Sequence, residues 1–387
     1  PRICVRYECV PMRFIKHVYK IHTYAQDGCL FEGKTPVSAF LNSSYDGSFI
    51  AGLMELRYIQ SLPVERIINY FESHGFTLKK PTAHKLMEKA SSLFENLYKC
   101  IRQTALSDPY KAADETYYKI LVPEKNSKGK GVRKGYLWVV VGINTRMIYL
   151  LYDDGSRSEK VILNELGGCK GIIQSDGYSP YRKLESDAYP HITRIPCLQH
   201  IKRKFIDCGE DDPDAKRIVE MINTLYQNEH KHKIGVDGWT VEQNLVHRKK
   251  YAPDILGEIK DVLDDIEERG DLLPKSELKE AITYLRNEWN AVVDIFNYGD
   301  TYLDNNIVER MNRYISLSRK NSLFFGSHKG AERGAILYTI ALTCRMNKVN
   351  LFEYLTDIIN RTAEWQPNTP LEKYRQLLPD RWEKAND

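Results

Sequence analysis

The sequence predicts an α/β protein built on one sheet, and three observations carry that prediction. From residue 112 the runs ADETYYKILV, GYLWVVVGIN and MIYLLYDD follow one another, β-rich and separated by turn residues. A helical pattern near 157–167 then precedes two further short strands, GIIQSDGY, ending at Asp176, and ITRIPC. Residues 198–300 carry almost unbroken helical periodicity, too much for a simple connection. Three strands in a meander, a helix, then strand–helix–strand is the order of an RNase H-like fold, here with a helical insertion.

The elements justify themselves in order. Residues 1–47 read as a small region of short strands and turns, punctuated by Pro36 and Gly47. Its Cys4, Cys9, His17, His22 and Cys29 match no standard zinc spacing, so free thiols and surface histidines are the expected state. Residues 48–105 read as a helical domain. SFIAGLMELRYIQ is apolar at a helical spacing, Pro63 opens VERIINYFESHGF, which Gly75 ends, and Pro81 opens a third, basic helix. This arrangement resembles a helix-turn-helix offering Lys79, Lys80, His84, Lys85 and Lys89 to phosphates or base edges. A purely helical packing domain is the alternative.

Residues 106–200 form the first part of the sheet domain. Its first connection, EKNSKGKGVRKG, holds Lys125, Lys128, Lys130, Arg133 and Lys134 and reads either as a hairpin tip gripping a phosphate backbone or as a solvated loop. Residues 201–300 are the insertion, with amphipathic runs DAKRIVEMINTLYQNEHK, DILGEIKDVLDDIEER and SELKEAITYLRNEWNAVVDIF. Residues 301–362 return to the catalytic domain, with helices over 329–347 and 351–361, and 363–387 form a polar tail anchored by Leu377 and Leu378.

The 387 residues predict two or three domains, and 42% hydrophobic residues can bury sizeable cores. The net charge of +4 neither demands nor excludes nucleic acid, so local clustering decides. No run of 18 apolar residues and no signal-peptide pattern occurs, and no membrane association is expected. Eight scattered cysteines without a CxxC pair read as reduced thiols in a cytoplasm. The chain begins with Pro1 rather than Met, so an upstream segment is expected to be missing.

The chemistry is expected to centre on residues 304–336, DNNIVERMNRYISLSRKNSLFFGSHKGAERGAI, read as a helix, a basic turn and a second helix. Asn305, Asn306 and Glu309 lie three to four residues apart and share a face beside the expected core residues Ile307, Met311 and Ile315. In an RNase H-like sheet the first strand, carrying Asp114, is central and the strand ending at Asp176 lies beside it. The helix of Glu309 packs across them, so three distant acids converge. Carboxylates are hard ligands that suit two Mg²⁺ or Mn²⁺ ions, and clustered acids repel unless such ions neutralise them. Singly, a strand-end Asp is ordinarily a cap, and a helical Glu is ordinarily solvated or paired, here with Arg313 at i+4.

ADET (113–116), SDGY (175–178), CLQHIKRKF (197–205) and DNNIVERMNRYISLSRKNSLFFGSHKGAERGAILYTIALTCRMN (304–347) together resemble the transposases of the IS66 insertion-sequence family, as do YECVPMRF, LPVERIINYFESHGF and LLPDRW. The resemblance covers roughly residues 7–380. It implies a DDE transposase that cleaves insertion-sequence ends and transfers strands, with Asp114, Asp176 and Glu309 as catalytic, metal-binding acids. It also implies double-stranded DNA partners, the terminal inverted repeats and the target, a homodimer on DNA, and a bacterial, nucleoid-associated location. His200 of the C-x-x-H pattern is assigned as hydrogen-bond donor or proton carrier near the scissile phosphate, since one Cys and one His alone do not make a zinc site. Arg203, Lys204, Arg313, Arg319, Lys320 and Lys329 are assigned to the DNA backbone. Relatives carry a cysteine-rich zinc motif for which HTYAQDGC stands here, so 1–47 reads as the remnant of a zinc-finger-like region and zinc is not expected. The alternatives are a non-catalytic DNA-binding regulator of the element and a structure-selective nuclease.

Overall fold

A computed structural model of the chain describes residue 7 and residues 12–33, 38–40, 43–125, 129, 131–209, 211–366 and 368–384. Cys4, Cys9, Pro36, Lys128 and Lys130 lie outside the described residues. The chain forms two compact units, one of Pro1–Ile101, Tyr118–Lys134 and Tyr314–Asp387, the other of Arg102–Tyr117 and Gly135–Arg313.

In the first unit, β1 (Thr23–Gln26) and β2 (Cys29–Glu32) form an antiparallel hairpin. Asp27 and Gly28 at its tip both have positive φ, 51° and 77°, as a two-residue hairpin turn requires. Then come α1 (Gly47–Met54), a π-helical turn over Glu55–Ile59, α2 (Val64–Ser73), α3 (Lys80–Leu93) and α4 (Glu95–Ser107), whose residues from Arg102 on belong to the second unit. Asp46 caps α1 by accepting the Phe49 amide at 3.0 Å. The basic run read as one helix from Pro81 is two, because the chain turns at Phe94, whose ring is buried.

The second unit holds most of a five-stranded sheet: β3 (Tyr110–Leu121), β4 (Val132–Gly142), β5 (Met147–Leu151), β6 (Gly171–Ser175) and β7 (Ile192–Pro196), in the order β5-β4-β3-β6-β7. β4 and β5 are antiparallel; β3, β6 and β7 run parallel. Residues Leu137–Val141 of β4 are all buried, so both faces of the sheet are covered there. Helix α5 (Glu159–Leu166) joins β5 to β6, and the short α6 (Ser179–Arg182) leads toward β7. Gly171 opens β6 at φ 90°, where a Cβ would lie 2.2 Å from the Pro109 carbonyl oxygen, so the start of this strand demands glycine.

Helices α7 (Leu198–Ile206), α8 (Pro213–Glu229), α9 (Val241–Arg269) and α10 (Glu277–Ile295) follow in the same unit and share one apolar core with Tyr110, Ile172 and Ile195 of the sheet. Helix α9 runs 29 residues straight through Pro253, starting at a capping box of Thr240 and Gln243 well before the pattern seen from Asp254. Arg194 of β7 and Glu288 of α10 form a fully buried ion pair that binds α10 to the sheet. Helix α11 (Asn306–Asn321) gives its first half to this unit and its second half to the other.

Returning to the first unit, α12 (His328–Met346), α13 (Leu351–Thr362) and the short α14 (Leu371–Arg375) complete the chain. Helix α12 is buried almost all round and packs Tyr338 edge-on to Tyr58, at 4.8 Å between ring centroids. The loop before α12 adds a strand-like contact, with the Leu121 amide donating to the Phe325 carbonyl at 2.9 Å. Leu377 and Leu378 are buried, as expected of anchors for the tail. No helix among the described residues is long and apolar enough to cross a membrane.

Candidate active site

Two aspartates are brought level by strand register. In the parallel pair β3–β6, Tyr110 faces Ile172, Lys111 faces Ile173 and Ala112 faces Gln174. Two residues on from the last of these pairs stand Asp114, within β3, and Asp176, just past the end of β6. Asp176 immediately follows β6, at the carboxyl end of a parallel strand, where open α/β sheets bind ligands. Its turn is held from two sides. The Gly177 amide donates to Tyr284 Oη at 2.8 Å, and Arg194 Nη1 donates to the Asp176 carbonyl at 3.3 Å. A Cβ on Gly177 would lie 2.5 Å from Tyr284 Oη, so only glycine lets this turn sit against α10.

Helix α11 is docked onto β3 by two asparagines. Asn305, just before the helix, donates from Nδ2 to the Ala113 carbonyl at 3.0 Å, and Asn312 donates from Nδ2 to Asp114 Oδ2 at 2.7 Å. Both are buried. The expected core stripe of Ile307, Met311 and Ile315 is corrected accordingly: Ile307 and Met311 are only half-buried, and Val308, Ile315, Asn305 and Asn312 are the residues turned inward. Asn306 is exposed, since adjacent helical residues point about 100° apart and cannot share the face of Asn305.

Asp114 pairs poorly with its surroundings as an anion. Burial first, then the neighbouring Glu115 and Asp176 carboxylates, push its carboxyl up to about 7. Its Oδ1 accepts the Glu115 amide at 2.8 Å, which opposes the shift without cancelling it. The Glu115 carboxyl, itself raised by burial, is ion-paired with Arg157, whose guanidinium lies 4.1 Å from the centre of the Tyr178 ring and 5.1 Å from that of Tyr136.

Glu309 sits one turn before Asn312 and one turn after Asn305, on the same face. Its carboxylate lies with other partners than the aspartates. Glu309 Oε1 is 3.8 Å from His200 Nε2, and the ligand atoms of Cys197, His200 and Glu309 all lie within 4.8 Å of one another. This is the one such group of metal-ligand side chains among the described residues, so the three acids do not close to that distance. Cys197 precedes α7 and is buried; burial pushes its thiol up to about 12, although the Asn305 amide donates to its sulfur at 3.2 Å.

Of the residues assigned to DNA, Arg203, Lys204 and Arg313 of the second unit are exposed. In the first unit Lys79, Lys80, Lys85, Arg133, Lys134, Lys320 and Lys329 are exposed and Arg319 half-buried; Lys80 is ion-paired with Glu65. Sequence reasoning overlooked Glu115, Arg157 and Asn312. Glu115 and Asn312 lay inside the quoted motifs, and an asparagine one turn beyond Glu309 was the available signal; Arg157 carried none.

The transposase IS66 family model matches residues 42–333 of this chain. The proteins y4jD, y4hP and y4qI of Sinorhizobium fredii (strain NBRC 101917 / NGR234), each described as uncharacterized, are 25%, 24% and 26% identical to it over 346, 404 and 385 residues. These alignments cover 86%, 98% and 95% of this chain and 65%, 70% and 69% of the relatives, so the chain spans about two thirds of their length.

Proposed function

The chain belongs to the IS66 transposase family, and from that premise we propose that it cleaves DNA at insertion-sequence ends and joins them to target DNA by a DDE mechanism. One observation carries the proposal: Asp114, within β3, and Asp176, just past the end of the adjacent parallel strand β6, are close enough to interact, and the Asp114 carboxyl is raised to about 7 by burial and by its acidic neighbours. The strand order β5-β4-β3-β6-β7, parallel on one side and antiparallel on the other, supports an RNase H-like reading of the sheet.

A divalent cation fits these residues, because acid pairs that resist ionisation are relieved by positive charge, and carboxylate oxygens suit Mg²⁺ or Mn²⁺. Asp114 and Asp176 would hold it, with Glu309 as the third ligand. When bound, two such ions supply Lewis acidity at the phosphate and acidify the attacking water or 3′-hydroxyl. The protein's own residues do the rest. Asn312 fixes the Asp114 carboxylate through its 2.7 Å hydrogen bond, and the Asn305 contact keeps α11 against β3. His200, beside Glu309, carries a proton to or from the reacting oxygen. Exposed Arg203, Lys204 and Arg313 hold the DNA backbone near these groups, as phosphate contacts position without reading sequence.

In the first unit, α2, the turn at Gly75 and α3 serve as a helix-turn-helix-like element, with Lys79, Lys80 and Lys85 toward DNA. Arg133, Lys134, Arg319, Lys320 and Lys329 contribute further backbone contacts. Two transposon ends must be brought together, so a homodimer on DNA is part of the proposal.

The test is Mg²⁺-dependent nicking of DNA carrying the element's own ends, followed by strand transfer of a pre-cut 3′-hydroxyl end. Asp114→Asn should abolish nicking and leave DNA binding intact; a variant that still cuts would remove the metal site. Nicking without joining would assign the chain to the nucleases.

A further inference from the structure

Cys197 and His200 are neighbours by helical spacing, but Glu309, 109 residues beyond His200, meets them although no local pattern requires it. Cys197 is the residue before α7, His200 lies in its first turn, and Glu309 lies in the first turn of α11. Their ligand atoms are all within 4.8 Å of one another. Tetrahedral zinc, with bonds of about 2.0–2.3 Å, needs ligand atoms roughly 3.3–3.8 Å apart, so closing the group takes an inward shift of about 1 Å.

Unsatisfied polar atoms gather at the same place. His200 Nδ1 and Glu309 Oε1 are buried and have no hydrogen-bond partner. An orphaned buried polar atom is costly, so two at one spot call for a partner that binds both.

The donor chemistry narrows that partner. The Cys197 sulfur accepts the Asn305 amide at 3.2 Å and sits at the positive end of α7, both of which favour a thiolate once a cation is present. Sulfur, imidazole and one carboxylate suit a borderline transition metal and do not suit Mg²⁺, which wants oxygen throughout. The side chains of His200 and Glu309 each keep 27% of their surface in solvent, which provides a route of entry and an open fourth position.

We propose that Cys197, His200 and Glu309 form a transition-metal site that takes Zn²⁺ with three protein ligands and one solvent ligand. The site shares Glu309 with the acid cluster proposed above. Only that sharing rests on the transposase reading; the metal site itself does not.

The test is titration of the purified chain with Co²⁺, followed by displacement with Zn²⁺. One cobalt per chain is expected, with a thiolate-to-cobalt charge-transfer band and visible d–d bands that Zn²⁺ abolishes. Cys197→Ser should lose the charge-transfer band. His200→Ala and Glu309→Gln should keep it at high cobalt but weaken Zn²⁺ binding at least ~10-fold by calorimetry. Cys29→Ser, at an exposed thiol elsewhere, should change nothing. The proposal is overturned if no charge-transfer band forms, if the band vanishes in Cys29→Ser, or if His200→Ala and Glu309→Gln bind Zn²⁺ like the parent. The last two variants keep the test decisive should Cys197→Ser fail to fold. A chain that binds cobalt as expected yet never nicks DNA would refute the transposition chemistry and leave this site standing.

Discussion

Replacing Asp114 with asparagine should make the protein less sensitive to rising pH. Burial and the carboxylates of Glu115 and Asp176 raise the Asp114 carboxyl from 3.8 to about 7. The folded state therefore holds a proton that the unfolded state releases, and stability falls as pH rises between these values. At 1.36 kcal/mol per unit the full cost above pH 7 is roughly 4 kcal/mol. Asp114 keeps part of its surface in water, which screens the repulsion, so about 2 kcal/mol is the figure to expect. Asp114→Asn removes this term. It also sacrifices one of two accepted hydrogen bonds, from Asn312 or from the Glu115 amide, at about 1 kcal/mol. The variant should thus be about 1 kcal/mol less stable than the parent near pH 4 and about 1 kcal/mol more stable near pH 8. Urea denaturation across that range reads the crossing directly. Mg²⁺ should raise the stability of the parent at pH 8 and leave the variant unmoved. Parallel pH profiles for the two proteins, without a crossing, would refute the electrostatic argument and with it the reason for placing a cation there.

Three further outcomes follow from the same geometry. Arg194→Met should destabilise the second unit by about 3 kcal/mol in urea melts, because it leaves the buried Glu288 with only Arg182, 3.9 Å away, and Arg194→Met combined with Glu288→Leu should recover most of the loss. If Lys79 and Lys85 contact phosphates, converting both to alanine should flatten the plot of log affinity against log salt by about 0.9 per lost contact, which fluorescence anisotropy with duplex DNA measures. Zn²⁺ at concentrations that fill the Cys197 group should suppress Mg²⁺-dependent nicking, a chelator should restore it, and undiminished nicking would show that Glu309 is not shared.

The strands were legible because β-branched and aromatic runs between turn residues leave few other readings, and because Asp176 marks the end of its strand by a turn that demands Gly177. The helix boundaries at Val64 and Lys80 were legible through Pro63 and Pro81. What escaped depended on tertiary contacts. The run read from Asp254 is the second half of a longer helix: α9 runs through Pro253, and Asn244 and Arg248 on the preceding turns are buried and bonded to Glu229, Gly299 and Thr301. The pairing of Arg194 with Glu288 joins residues 94 apart and has no local pattern. In α11 the rule that apolar residues face inward misdirected the reading, since Asn305 and Asn312 satisfy their amide donors on β3 and can be buried beside Val308 and Ile315.

That inversion bears on the proposal that Glu309 serves two sites. The asparagines at 305 and 312 clamp α11 to consecutive residues of β3, Ala113 and Asp114, so the backbone of Glu309 is held within one turn of fixed points on either side. Its side chain is not fixed: Oε1 has no hydrogen-bond partner, and its neighbour His200 stands at 3.8 Å, beyond hydrogen-bond reach. With its backbone clamped and Oε1 unpartnered, the carboxylate would exchange partners by rotation about its χ angles, without displacing the helix. Under the two proposals above, the carboxylate would be available either to Cys197 and His200 or to Asp114 and Asp176, and the metal bound would determine which. Breaking the clamp distinguishes this from a helix that swings as a body. If only the side chain moves, Asn312→Ala should weaken cleavage by loosening Asp114 while leaving cobalt affinity at the Cys197 group nearly unchanged; a rigid-body motion would shift both together.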